Sequence, residues 1–193
     1  MEPRTLTLSD DQILYLRSIN VFFATPAYGG LLYVTYHQSV METHMLLTRM
    51  GVPHQFHYMS NESLITRARN SMVAKFLGEK SSGRPYTHLF FLDADIGFGA
   101  AQILRCLLAR RPVACGVYPR KTVNYEQLVR VASRPRSESL RRFRDVPERR
   151  PDLPFLGSEY NINMSGSSSE QTGDGFVKVL DAATGFMCIS RPV

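Results

Sequence analysis

The sequence predicts an α/β domain built on a mainly parallel sheet with helices on both faces. Three observations lead there. Short apolar runs alternate with amphipathic helical segments over about 100 residues. Gly, Pro or small polar residues separate the runs. The composition, 44% hydrophobic and 21% charged over 193 residues, is ordinary for a chain with a packed core. One domain of this length buries about 70% of its unfolded surface, so a core needs no disulfide or metal staple.

Residues 1–17 are polar with an amphipathic end (Ile13, Leu14, Leu16) and predict a short leading helix or arm. The apolar run 19–24 predicts a buried strand that gives way to turn-prone Thr25-Pro26-Ala27-Tyr28-Gly29-Gly30. Apolar positions 33, 36, 40 and 47, with Gly51 beyond, predict a helix over 34–50 ending at a glycine stop. A strand at 54–59 follows, then Ser60-Asn61-Glu62-Ser63 able to cap a helix over 64–77, whose face carries Ile65, Ala68, Met72, Val73 and Phe76. A Gly/Ser/Lys loop (78–85) leads to the most apolar strand, 88–92, which runs directly into Asp93-Ala94-Asp95. A helix over 100–110 and a strand over 113–117 complete the third cycle. The segment 119–176, rich in Pro, Arg, Ser and Gly, reads as long loops with one helix-like piece near 125–132. A final strand pair is expected at 176–180 and 185–189.

The net charge of +6 and a sequence pI near 9.4 suggest an anionic partner. Between Arg130 and Arg150, however, eight Arg stand against Glu138, Asp145 and Glu148, so one segment carries most of the excess. Cys106, Cys115 and Cys188 lie in apolar surroundings without CxxC or Cys/His spacing and read as reduced core thiols. With no apolar signal core and no run of roughly 18 apolar residues, the chain is expected to be soluble and cytoplasmic, without a membrane span. The five histidines read as surface or strand-edge residues.

Asp93 and Asp95 end the strongest strand, and in open α/β sheets ligands bind beyond the carboxyl ends of the strands. If the strand continued through them, alternation would point both carboxylates the same way. Two close carboxylates repel; a hard divalent cation, Mg2+ or Mn2+, relieves that and bridges to phosphate oxygens. An acidic pair capping the next helix is the structural alternative. Arg67 and Asn70, three apart, share a helix face that Arg69 does not, so spacing does not bring both arginines to one site.

The helix motif Ala68-Arg69-Asn70 followed by a strand ending in Asp93-Ala94-Asp95 resembles the GT-A glycosyltransferases, in particular the family 2-like sugar transferases. VFFATPAYGG, ACGVYPRK and ATGFM resemble segments of a viral and bacterial branch of that group, so the likeness spans about 19–121 and 176–190. It implies a GT-A, Rossmann-like nucleotide-diphospho-sugar transferase sandwich over 1–193. Within it, 19–121 would be the nucleotide-sugar-binding core, 122–175 an irregular insertion and 176–190 returning strands. The implied activity is metal-dependent transfer of a sugar from a nucleoside-diphosphate sugar, UDP-linked for choice, to the hydroxyl of a glycan or protein-linked acceptor. By the same resemblance Thr25, Pro26, Ala27 and Tyr28 hold base and ribose, and Arg67, Arg69 and Asn70 face the diphosphate. Asp93 and Ala94 join the donor site, and Asp95, helped by Asp93, ligates Mn2+ or Mg2+. Lys121 supplies a further cation, and Thr184 and Gly185 line the sugar side.

The chain departs from the family pattern in ending before the usual acceptor-activating acid and the further His ligand, so no catalytic base is identified and inversion and retention both remain open. Two other readings are weighed. The arginine-rich segment could bind nucleic acid, but only Phe143 interrupts it and no recognition motif accompanies it. A nucleotidyltransferase, or a non-catalytic sugar-nucleotide-binding domain, could share the sheet, although TPAYGG lacks the basic phosphate loop of the former.

Overall fold

The computed structural model describes residues 8–126, 129, 158–164, 172 and 174–191. Helix α1 (Asp10–Ser18) starts from a capping box in which Ser9 and Gln12 exchange backbone-to-side-chain hydrogen bonds. Strand β1 (Val21–Ala27) leads through the single turn Tyr28–Gly30 to helix α2 (Val34–Met50), and then come β2 (His54–Ser60) and α3 (Ile65–Gly78). The small hairpin β3 (Lys80–Ser81) and β4 (Arg84–Pro85) precedes β5 (His88–Leu92), α4 (Ala100–Leu108) and β6 (Val113–Cys115). After β7 (Pro119–Val123), β8 (Ser158–Tyr160), β9 (Ile162–Met164) and β10 (Val179–Ala182), the chain closes with β11 (Phe186–Ser190).

The central sheet has the order β2-β1-β5-β11-β6. β1 pairs in parallel with β2 and β5, while β11 runs antiparallel to both β5 and β6. The architecture is mixed α/β with a mostly parallel sheet, compatible with a Rossmann-like fold. Side-chain alternation sorts the two faces. Phe22, Ala24, Leu89 and Phe91 meet Met72 and Phe76 of α3 on one face. Phe23, Thr25, Phe90 and Phe186 point to the other, where Thr25 meets Tyr36 of α2 and Phe98 bridges Tyr36 to Phe186. β5 is buried at all five positions because both faces and both edges are covered, which explains the apolar run Leu89–Leu92.

The described residues fall into two compact units. One takes in Met1–Gly116, Glu170–Val177 and Ala183–Val193, and the other Val117–Ser169 and Lys178–Ala182. In the second, β7 pairs antiparallel with β8, and β9 with β10.

Several sequence expectations are corrected. β1 does not stop at 24: it runs through Thr25-Pro26-Ala27, because its ladder to β2 continues to Ala27 opposite Ser60 while its ladder to β5 ends at Ala24. Pro26 is tolerated there since it has a neighbouring strand on one side only. The loop 78–85 contains a hairpin turned at Ser82 and Gly83, both at positive φ. The described parts of 119–176 include three strands, not loops alone. The two C-terminal strands do not pair with each other, since β10 joins β9 and β11 enters the central sheet. The helix-like piece near 125–132 and the segment 130–150 fall largely or wholly outside the described residues. The glycine stop holds: Gly51 takes φ 71° and its N–H reaches the Leu47 and Thr48 carbonyls.

All three cysteines are free, with Cys106 and Cys188 buried. Burial pushes the Cys106 thiol up to about 12 and raises Cys115 and Cys188 as well, so the thiols stay protonated. Gly116 is a packing requirement, since a Cβ there would overlap the Phe186 ring.

Candidate functional site

The chain leaves β1 through α2 to reach β2 on one side, then crosses through α3 to β5 on the other side of β1. Where successive connections depart in opposite directions, the two strands part beyond their carboxyl ends and leave a crevice. Here the β1–β5 ladder ends at Ala24 opposite Phe91, so Thr25-Pro26-Ala27 follow it directly on β1, and Asp93-Ala94-Asp95 follow it after Leu92 on β5.

The acidic segment is a turn held by backbone hydrogen bonds on several sides. Asp93 N–H donates to the Gly185 carbonyl at 2.9 Å, and Ile96 N–H to the Asp93 carbonyl at 3.1 Å. The Ala94 carbonyl accepts from Tyr33 N–H at 3.0 Å, and Phe98 N–H donates to Ser39 Oγ at 2.8 Å. β5 ends at Leu92, as the sequence places it, so the condition for alternation through both aspartates is not met and alternation does not set the direction of Asp95. Asp93, one residue past the strand, still follows it toward the α3 face. There Arg69 Nη2 donates to its Oδ1 at 2.9 Å.

Arg69 rises from α3 beside the buried Ala68, its guanidinium carbon 5.9 Å from the centre of the Phe91 ring. Its Nε is buried without a hydrogen-bond partner, so the guanidinium retains donor capacity. The pair is 23% and 30% exposed at its two side chains, which makes each charge costly to leave alone. Arg69→Met is expected to lower folding stability by about 1–3 kcal/mol, because Asp93 loses its partner in a half-desolvated place. Urea unfolding, with the exposed Arg67→Met as control, measures this.

The structure separates the other predicted residues. Thr25 is buried and its hydroxyl is bonded to Tyr36, whose phenol burial holds far above its ordinary range, so any ligand contact at Thr25 is left to the backbone. Pro26 is half-buried, Ala27 buried and Tyr28 71% exposed at the rim. Arg67 turns to Glu62 through two hydrogen bonds of 2.6 and 2.7 Å and holds that carboxyl below the usual range. Glu62 also accepts Leu64 N–H just ahead of α3, but no side chain of 60–63 caps the helix, whose N-cap position is Leu64. Asn70 is exposed, Thr184 half-buried and Gly185 buried against Asp93. Lys121 is exposed on β7 of the second unit. Sequence reasoning missed the parts played by Tyr33, Tyr36 and Ser39, which brace Thr25 and the 94–98 segment from α2 and its entry; no local pattern marks them for it.

Among the described residues no three His, Cys, Asp or Glu side chains converge as a metal-holding group. No helix among them is long and apolar enough to cross a membrane. Comparison with known proteins gives no match: no family model fits the chain, and no curated protein or solved structure matches it.

Proposed function

We propose that the first unit binds a nucleoside-diphosphate sugar, UDP-linked, and passes its sugar to an acceptor hydroxyl with the help of Mn2+ or Mg2+. The observation that carries this reading is the juxtaposition, at a strand-end crevice, of the acidic turn Asp93–Asp95 with the Arg69 guanidinium. The motif order Ala68-Arg69-Asn70 then Asp93-Ala94-Asp95, resembling GT-A transferases, supports it.

The residues fit a hard cation. Asp93, whose Oδ1 accepts from Arg69, and Asp95 would bring carboxylate oxygens, the donor type such an ion takes. Mg2+ and Mn2+ suit one or two carboxylates completed by water and phosphate. When bound, such an ion stabilises the departing nucleoside diphosphate by charge neutralisation. Arg69 orients Asp93 and offers its remaining N–H donors to phosphate oxygens, a match of planar fork to oxyanion. The backbone of Thr25–Ala27 and the ring of Tyr28 form the wall against which a base can stack.

Calorimetric titration of UDP, GDP and their common sugars, with and without Mn2+, tests the reading. Mn2+-dependent binding of the UDP series is expected, weakened by about tenfold to a hundredfold or more in Asp95→Ala. Metal-independent binding, or binding indifferent to Asp95→Ala, overturns the assignment.

A further inference from the structure

β2 ends the strand order of the central sheet and pairs with β1 alone, so its outer side has no strand beside it among the described residues. We propose that β2 of a second copy of this chain pairs there, antiparallel about a two-fold axis, and joins the two central sheets into one.

An open edge is a template for further strand pairing, and chains that stay apart guard it with charge, proline, a bulge or brevity. β2 carries none of these guards. Its residues His54-Gln55-Phe56-His57-Tyr58-Met59-Ser60 include no Asp, Glu, Lys, Arg or Pro, and its ladder to β1 runs through all seven without a register shift. Burial lowers the pKa of His54 and of His57, so both rings are neutral at pH 7. Although the net charge is +6, no Asp, Glu, Lys or Arg stands between Arg49 and Glu62, so two copies meet at this edge without like charges opposing them. The other edge of the sheet is different: β6 is three residues long and follows directly on Arg110 and Arg111.

The strand is complementary to itself. A two-fold axis normal to the sheet keeps each face on its own side, so residues directly opposed across the pair differ by an even number in sequence. In the register that opposes all seven residues, His57 meets His57 of the second copy, Phe56 meets Tyr58 and Gln55 meets Met59. Symmetry repeats each pair, so an aromatic cross-strand contact forms twice on the face where Phe56 already stacks on Phe23 at 4.5 Å. Tyr58, 48% exposed in the single chain, is covered by it. On the same face His44 of α2 reaches the edge at His54 and Phe56, and the exposed Met41 and Met45 follow His44 round the helix, away from its buried stripe. The apolar strip therefore continues from the strand onto the helix. The pairing uses the side of the sheet rather than its strand ends, so it goes beyond the proposed transferase reaction and does not depend on it.

Sedimentation equilibrium of the full chain over a micromolar concentration series is expected to show a species of twice the 21.9 kDa chain mass that dissociates on dilution. Tyr58→Lys and Gln55→Lys, at exposed positions on the two faces of the edge, are expected to weaken dimerisation by about tenfold or more, with circular dichroism verifying that both fold. His57→Cys sets two thiols opposite each other across the axis, within disulfide reach, and is expected to give a covalent dimer with diamide as oxidant. Gln55→Cys, whose two copies lie several residues apart along the pair, and the parent, with its three free cysteines, are expected to give none. A chain that stays monomeric throughout, which leaves the edge to a different partner, overturns the proposal. So does a dimer that both lysine variants leave intact, or one that cross-links through Gln55→Cys and not through His57→Cys.

Discussion

Phe90→Ala is expected to remove about 3–5 kcal/mol of folding stability, close to the upper end for a single core truncation. Phe90 is fully buried at the middle of β5. It faces Phe23 across the parallel ladder, with ring centroids 5.6 Å apart, and Phe186 from β11 at 5.1 Å. Phe186 in turn meets Phe98 at 5.4 Å, and Phe98 meets Tyr36 at 6.1 Å. The ring therefore joins β1, β5, β11 and α2, and its removal leaves a cavity whose walls are fixed by strand pairing on both sides. Walls that cannot collapse put the cost at the high end of the range. A second consequence follows from position. Phe90 lies three residues before Asp93, and Phe186 follows Gly185, whose carbonyl anchors the Asp93 amide. Loosening this cluster is expected to weaken ligand binding at the acidic turn in the folded fraction that remains. Urea midpoints compared with Leu14→Ala, where the parent side chain is 70% exposed and the change should stay within about 0.5 kcal/mol, separate cavity formation from a general effect of truncation. A loss near that of Leu14→Ala would mean that Phe90 is not the hub these distances describe.

The elements legible in the sequence were those whose pattern is local. The 89–92 run is apolar throughout because its strand is central, and the 34–50 helix is bounded by a glycine at positive φ, so both were readable from their own residues. The motif spacing also picked out Arg69 and Asp93, which the fold joins. What was not legible depends on partners far along the chain. β1 continues through Pro26 because β2 lies beside it, although Thr-Pro-Ala-Tyr-Gly-Gly reads as a turn. The insertion of β11 between β5 and β6, antiparallel in a parallel neighbourhood, leaves no mark on its own five residues. Thr25 read as a ligand contact, yet its hydroxyl is taken by Tyr36, eleven residues away on another element. Arg67 was placed with Arg69 at the diphosphate by the resemblance, although their spacing did not bring both to one site, and Glu62 ahead of the helix draws it away. Local pattern thus specified elements, while the pairing of Arg69 with Asp93 and the choice among equivalent polar residues were made by tertiary contacts.

His88 also escaped the local reading, and its burial produces the second large expected effect. It read as a strand-edge residue; it is instead 7% exposed at the start of the central strand. Its two nitrogens have complementary partners. The Thr87 hydroxyl donates to the Asn20 carbonyl at 3.2 Å and accepts the Asn20 amide at 2.9 Å, so it can only accept from His88 Nδ1–H, 2.9 Å away. Nδ1 then carries the ring proton and Nε2 is the acceptor, met by the Tyr15 hydroxyl at 3.3 Å. A second proton on Nε2 would turn the Tyr15 hydroxyl into an acceptor, so what disfavours the charged ring is its burial. Burial lowers the His88 pKa from 6.5 to about 4. A group whose pKa is depressed on folding contributes stability above its unfolded pKa and loses it as the pH falls toward the folded value. The unfolded chain takes up a proton near pH 6.5 that the folded chain refuses until about pH 4. Between about pH 7 and pH 4.5 the loss is expected to reach about 2.5 kcal/mol, with a slope approaching one proton. His88→Asn, which keeps a donor and an acceptor but does not titrate, is expected to be flatter over that window by the same amount, whatever its stability at neutral pH. Denaturant melts of both proteins at matched pH measure the difference. Parallel curves for parent and variant would show that His88 protonates in the folded state as readily as in the unfolded one, contrary to what its burial predicts.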